Sequence, residues 1–294
     1  MPSNDAKLDL LKSKLSHLKR KAWEPIVQEG DGAIAASKFA GKPWLNEGEE
    51  YPTCPNCSKP MQLFLQINLD ELPNNLKSRF GSGILQFFYC TNSGVLKLDT
   101  GLSGKTVEEC KTIIKNLPEN MVQGTWGGSV DWQGNIGQIK ILKPQHCEEE
   151  CDGWDAFSRC QFMRIVQPTD VSATFEIPEI EGLFEPKLIV DWLEVDNYPD
   201  LDELDTLGVM LERDEEDILI YQLDQGGDKL AGWADWVQYP QYPNCPTCNQ
   251  PMNQFVFQLA SEGNIPYAWG DWGYGYIMQC PEHKEQVAFL WQCG

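Results

Sequence analysis

Lys38-Phe39-Ala40-Gly41, and after nine intervening residues Tyr51-Pro52-Thr53-Cys54-Pro55-Asn56-Cys57-Ser58-Lys59-Pro60-Met61-Gln62-Leu63-Phe64, return further along as Lys229-Leu230-Ala231-Gly232 and Tyr242-Pro243-Asn244-Cys245-Pro246-Thr247-Cys248-Asn249-Gln250-Pro251-Met252-Asn253-Gln254-Phe255. Set side by side without a gap, residues 38–64 and 229–255 are identical at eleven of twenty-seven positions. Chance would leave about two, so the pattern reads as an internal duplication, which precedes any local reading of the fold. Looser echoes follow: Gln66-Ile67-Asn68-Leu69 answers Gln258-Leu259, and Ile84 to Cys90 answers Tyr276 to Cys280.

The segments around the repeat read mainly as strand. Met61 to Leu69, Gly83 to Cys90, Leu188 to Glu194, Ile218 to Leu223, Met252 to Ala260 and Gly275 to Cys280 are short runs rich in β-branched and aromatic residues. Pro, Gly and Asn bound them. Asp5 to Lys21 instead places Leu8, Leu11, Leu15 and Leu18 at spacings of three and four, the stripe of an amphipathic helix. Thr106 to Leu117 reads as a second helix, and Tyr198 to Glu203 as a short one before a loop. The expected fold is mainly β (α+β): two barrel-like or sandwich-like halves related by duplication, with an N-terminal helix. Residues 1–22 form the helix, 23–168 the first half with an insertion over 91–146, and 169–294 the second half, with Gln167 to Pro186 as the hinge.

The repeat carries metal chemistry. Cys245 and Cys248 are followed, after 31 residues, by Cys280 and His283. Two short-spaced pairs in Pro-bearing turns give zinc the four N and S donors a structural tetrahedral site needs. A redox role for Cys245-x-x-Cys248 is disfavoured, because Pro251 and a strand follow where a helix is required. In the first copy Cys54, Cys57 and Cys90 match, but Ser93 stands in the place of His283. Cys151 or Cys147 is then the favoured fourth ligand, with His146 and Cys110 as alternatives. The expectation is structural zinc, firmly in the second copy and conditionally in the first.

The chain of 294 residues has 44 acids against 23 Lys and Arg, a formal net charge of −21. Such a surface repels phosphate backbones and disfavours nucleic-acid binding, while attracting basic partners. Six bases and one acid fall within residues 7–21, and twelve acids and one base within 191–217. There is no secretory signal pattern and no run of 18 apolar residues, so a cytoplasmic protein without a membrane span is expected. The odd count of eleven cysteines in that setting favours metal ligation over a disulfide framework. Phosphate-loop, dinucleotide-binding, metalloprotease and nucleophile-elbow patterns are all absent from the sequence. Outside the zinc motif only His17 and His146 remain as ordinary general bases, and no residue is assigned a catalytic role.

Taken together, Ser37 to Leu45, Glu47 to Pro52 leading into Cys54-Pro55-Asn56-Cys57, Leu85 to Thr91, Trp269-Gly270-Asp271, Gly275-Tyr276-Ile277 and Cys280-Pro281-Glu282-His283 with Ala288 to Trp291 resemble the bacterial YwqG-like proteins, a domain of unknown function. The resemblance runs from about Trp23 onward. It implies a pair of β-barrel-like halves and a distant kinship with the programmed-cell-death-2 and Tsr-type proteins, which share Cys-Pro-x-Cys units and act as chaperones for a basic ribosomal protein. YwqG-like proteins are also suggested to be immunity proteins. The insertion Thr91 to His146 departs from the family pattern and bears on the first zinc site.

The function expected is therefore a zinc-stabilised module that binds a basic protein or peptide, as a chaperone or adaptor. Neutralisation of a basic toxin and an enzyme with an unrecognised carboxylate site are the alternatives. Trp233, Trp236, Trp269, Asp271 and Trp272 are the binding residues, because aromatic faces beside carboxylates grip cationic segments.

Overall fold

The short apolar runs Gln62–Asn68, Ile84–Tyr89, Gln254–Ala260 and Tyr274–Gln279 are buried along both faces, and the chain gathers them into one large sheet. A computed structural model describes residues 4–91, 95–97, 126–127, 140–142, 154–223 and 226–294. In chain order the strands are β1 (Arg20–Glu29), β2 (Lys38–Phe39), β3 (Gln62–Asn68), β4 (Ile84–Tyr89), β5 (Val95–Lys97), β6 (Trp126–Gly127), β7 (Lys140–Leu142), β8 (Gln161–Val166), β9 (Lys187–Asn197), β10 (Lys229–Leu230), β11 (Gln254–Ala260), β12 (Tyr274–Gln279) and β13 (Val287–Gln292). Ten of them form one antiparallel sheet in the order β13-β12-β11-β10-β1-β9-β2-β3-β4-β8, and β5-β7-β6 form a small separate sheet.

The large sheet curls until its edges nearly meet. Phe87 on β4 stacks on Phe289 on β13 at 4.1 Å between centroids. Trp291 N donates to the carbonyl of Trp154, just ahead of β8, at 3.2 Å. The result is a barrel not quite closed, filled by Phe39, Phe64, Phe87, Phe257, Trp269 and Phe289. Two separate barrel-like halves were expected, and this is the main correction to that picture. The long strands β1 and β9 pair along their whole lengths, from Arg20 opposite Asn197 to Glu29 opposite Lys187. β1 then pairs with β10, and β9 with β2. Each strand thus joins the short strands of the other half.

The same contacts recur on either side of that central pair. Ala40 and Ala231 have φ of 55° and 59°, followed by Gly41 and Gly232 at 78° and 82°. A β-carbon on Gly41 would meet Asp31 Oδ1, and one on Gly232 would meet Asn197 Oδ1, at 2.5 and 2.4 Å. This close approach, beside a left-handed turn, is why the Ala-Gly pair recurs. Gln66 Oε1 accepts from Trp44 N at 2.8 Å, and Gln258 Oε1 accepts from Asp235 N at 2.9 Å. The gapless alignment slips at its end, however. Ala40 N donates to Phe64 O while Ala231 N donates to Val256 O, so Val256 rather than Phe255 takes the place of Phe64. A bulge follows Leu63 in one hairpin and Phe255 in the other.

Helices are few. α1 (Asn4–Lys14) ends earlier than expected, and the chain turns through Leu18 into β1. Its Leu11 and Leu15 are wholly buried. α2 (Leu201–Thr206) is capped by Asp200, whose carboxylate accepts the Glu203 N–H at 2.7 Å. The capping box of α3 (Arg213–Ile218) is formed by Glu212 and Glu215. Ile218 to Leu223, expected as a strand, instead ends α3 and continues as a π-helical turn, Leu219–Leu223. Packing of Ile218, Leu219 and Leu223 under α1 overrides their β-propensity. The helix expected at Thr106 to Leu117 lies outside the described residues. Gln167 to Pro186 has no helix or strand and runs along the first half, with Ala173 N bonded to Leu45 O at 2.8 Å and Phe184 N to Gln62 Oε1 at 2.9 Å.

Replacing Phe289 by Ala removes the ring that bridges the sheet edges. It is expected to cost about 3–5 kcal/mol in denaturant unfolding, as for other fully buried aromatics. A change below about 1 kcal/mol would mean that the seam is not packed as described. A second prediction concerns pH. Burial pushes the Asp200 carboxyl up to about 7; the Glu203 and Trp236 N–H groups oppose this and Asp235 and Asp202 add to it. A folded pKa above the unfolded value stabilises the fold below the unfolded pKa, and the contribution is lost as pH rises toward 7. The stability of the wild type relative to Asp200→Asn should therefore fall between about pH 4 and 7 in parallel melts. Curves of constant separation would refute it.

Candidate metal centres and the surface around them

Each repeat unit ends in a tight turn built around two cysteines. Cys54 N donates to Lys59 O and Cys245 N to Gln250 O, both at 2.8 Å, closing the turns. The residue after each second cysteine is left-handed, Ser58 at φ 56° and Asn249 at φ 57°. That kink lets both thiols of a C-x-x-C pair face one point. The third cysteine arrives at the end of the partner strand: Cys90 directly after β4, Cys280 directly after β12.

Among the described residues, two groups of donors converge. Cys245, Cys248, Cys280 and His283 form one, and Cys54, Cys57 and Cys90 the other, with all ligand atoms of each group within 4.8 Å of one another. Cys248 Sγ lies 3.7 Å from Cys280 Sγ, Cys280 Sγ 3.7 Å from His283 Nδ1, and Cys57 Sγ 3.6 Å from Cys90 Sγ. A tetrahedral zinc with sulfur at about 2.3 Å sets its sulfurs about 3.8 Å apart. Both clusters are therefore geometrically suited to zinc. The backbone also favours thiolate. Burial opposes ionisation of Cys245, but N–H groups of Cys248 and Thr247, with the thiols of Cys280 and Cys248, outweigh it and bring Cys245 to about 7. At Cys248 the N–H of Gln250 favours the thiolate, yet burial and the neighbouring Cys245 and Cys280 push it up.

The difference between the clusters has a simple origin. In the second half the chain passes from Cys280 through a short turn, with His283 N bonded to Cys280 Sγ at 3.3 Å, and returns at Gln286 O to Cys280 N at 3.0 Å. In the first half the corresponding bond runs from Cys90 N to Cys160 O at 2.8 Å. The bond partner of Cys90 thus lies 70 residues further along the chain, whereas that of Cys280 lies six. Cys110, His146, Cys147 and Cys151 all lie outside the described residues.

The aromatic residues divide sharply. Trp269 is 1% exposed and belongs to the barrel core. Trp236, 4% exposed, packs on Tyr276 at 4.6 Å and donates from Nε1 to Glu203. Trp233, 7% exposed, donates from Nε1 to Leu18 O and lies under the Arg20 guanidinium at 3.2 Å. These three are packing residues, buried rather than presented as the docking face expected of them. Trp272 is 71% exposed with Asp271 beside it, and holds φ 58°. A bulky residue in that region is an outlier worth a functional reading. Tyr239 is also exposed and is linked to this turn through Gln292. Gln292 Nε2 donates to Tyr239 O, and a β-carbon on Gly273 would overlap Gln292 O. Only burial separates Trp272 from Trp233, Trp236 and Trp269, and no sequence signal carries it.

The charge asymmetry is met largely within the chain. Lys7 pairs with Asp214 at 2.7 Å, Lys14 with Glu215 at 2.5 Å, Lys19 with Asp196 at 3.1 Å, and Lys21 with Asp196 at 2.8 Å and Glu194 at 3.0 Å. Glu203 is buried, accepting from Trp236 Nε1 and from Tyr242 OH at 2.6 Å. No helix among the described residues is long and apolar enough to cross a membrane.

No curated protein matches the chain. A family model does match, over residues 37–293, a span that includes the recurring Ala-Gly turns, the Cys clusters and all the sheet strands but β1. The chain belongs to the family described as domain of unknown function DUF1963.

Proposed function

We propose that the protein is a zinc-stabilised binding module for a basic polypeptide, acting as a chaperone or adaptor. The four-donor cluster Cys245, Cys248, Cys280 and His283 carries the zinc part of the reading. Four protein donors fill a tetrahedral shell, so zinc there ties β12 and the turn before β13 to the Cys245 turn rather than presenting water to a substrate. At the first cluster Cys147 or Cys151 completes the shell of Cys54, Cys57 and Cys90. The recurrence of both turns is read as an ancient duplication, in line with the resemblance to YwqG-like proteins.

The binding part rests on Trp272 with Asp271 and Tyr239, exposed aromatics beside a carboxylate on a chain of net charge −21. A lysine or arginine of an extended segment would lie on the indole and pair with Asp271. Such a partner is drawn in by the field of the whole protein and released by salt.

Two experiments test these parts separately. Cys248→Ser should lose one equivalent of zinc in elemental analysis and melt at lower temperature; unchanged metal content removes the zinc assignment. A tagged pull-down from the native host, at low and high salt, should enrich a basic protein at low salt, and Trp272→Ala should lose it. Equal capture by wild type and Trp272→Ala counts against this face.

A further inference from the structure

α1 has eleven residues, too few to be a stable helix alone. Its position comes from tertiary contacts: Leu11 and Leu15 are buried with Leu204, Ile218, Leu219 and Leu223, and Lys7 and Lys14 pair with Asp214 and Glu215 at the start of α3. These ion pairs are at least partly exposed, hence individually weak and screened by salt. The family match begins at residue 37. The acidic seat is inside that region, and the helix lying on it, with three lysines against two aspartates, is outside.

Two further features suit a helix that can leave. The chain is pinned just behind it, where Trp233 Nε1 donates to Leu18 O at 2.8 Å and Arg20 stacks on Trp233, so β1 keeps its place without α1. Beside the seat lies a cavity of about 220 Å³, lined by Leu219, Leu223, Asp200, Asp202, Asp235 and Lys229. No α1 residue lines it. Asp202 and Asp235 against Lys229 leave it net negative, with Asp200 about half ionised near neutral pH.

We propose that the seat formed by α2, α3 and the Leu219–Leu223 turn is a receptor for a basic amphipathic helix of a partner protein, with α1 as its resident, displaceable occupant. The partner repeats the Leu and Lys pattern of α1 and adds a lysine or arginine long enough to reach the cavity, which gives it the advantage over α1. The basic character of the partner is shared with the function proposed above. The site is separate from Trp272, so each can fail alone.

The probe is a fluorescent synthetic peptide of residues 4–19, with the full chain carrying Leu11→Glu and Leu15→Glu to unseat α1. The peptide should bind this double variant at least about tenfold more tightly than the wild type, whose own tethered helix competes. Adding Asp214→Lys and Glu215→Lys should abolish binding, and about 0.5 M salt should weaken it strongly. No preference for the double variant, with circular dichroism and melting matching the wild type, overturns the proposal. If the double variant does not fold, hydrogen exchange on the wild type decides. α1 amides exchanging at high salt while the barrel stays protected support it, and α1 exchanging only together with the barrel overturns it.

Discussion

The antiparallel pairing of β1 with β9 is the constraint on which the rest of the molecule depends. It lies at the centre of a ten-stranded sheet and joins the two sets of short strands crosswise, β1 to β10 and β9 to β2. Without it neither set of four short strands has enough sheet to cover its aromatic residues. With it, Phe39 meets Phe257 edge-on at 6.0 Å and Phe87 meets Phe289 at the seam. The two cysteine turns then sit at equivalent places on the two wings of one barrel, just before β3 and β11, each facing the cysteine at the end of the neighbouring β4 or β12.

Much of this was readable from the residues. The recurring Lys-x-Ala-Gly and Cys-Pro-x-Cys turns place both cysteine clusters correctly, because their geometry is local: left-handed Ala-Gly, a left-handed residue after the second cysteine, and a two-residue spacer. β3, β4, β11 and β12 were legible for the same reason, as their β-branched and aromatic runs agree with their burial. β1 was not. Arg20 to Glu29 contains Pro25 and several charges, and its identity as a central strand comes only from pairing with residues more than 150 positions away. Ile218 to Leu223 misled in the opposite direction, since a β-like run became helical where α1 covers it.

Function was less legible because burial, not composition, sorts the aromatics and acids. Trp233, Trp236 and Trp269 are alike in sequence context to Trp272, yet three are packed and one is presented. The acidic stretch reads as a free docking field, whereas four of its carboxylates hold the chain's own lysines and two more, Asp200 and Glu203, anchor the Trp236 loop.

The crossed pairing of β1 and β9 also fixes an order of events during synthesis. A ribosome that has released only the first half has made β1, which has neither of its partners, and β2, which has only β3. β9 must emerge before β2 has a second partner, and β10 before β1 does. The nascent first half therefore exposes unpaired strand edges and a row of phenylalanines until nearly two thirds of the chain is out. Contacts this distant in sequence also make for slow folding. A protein wired in this way depends on being sheltered while it is made.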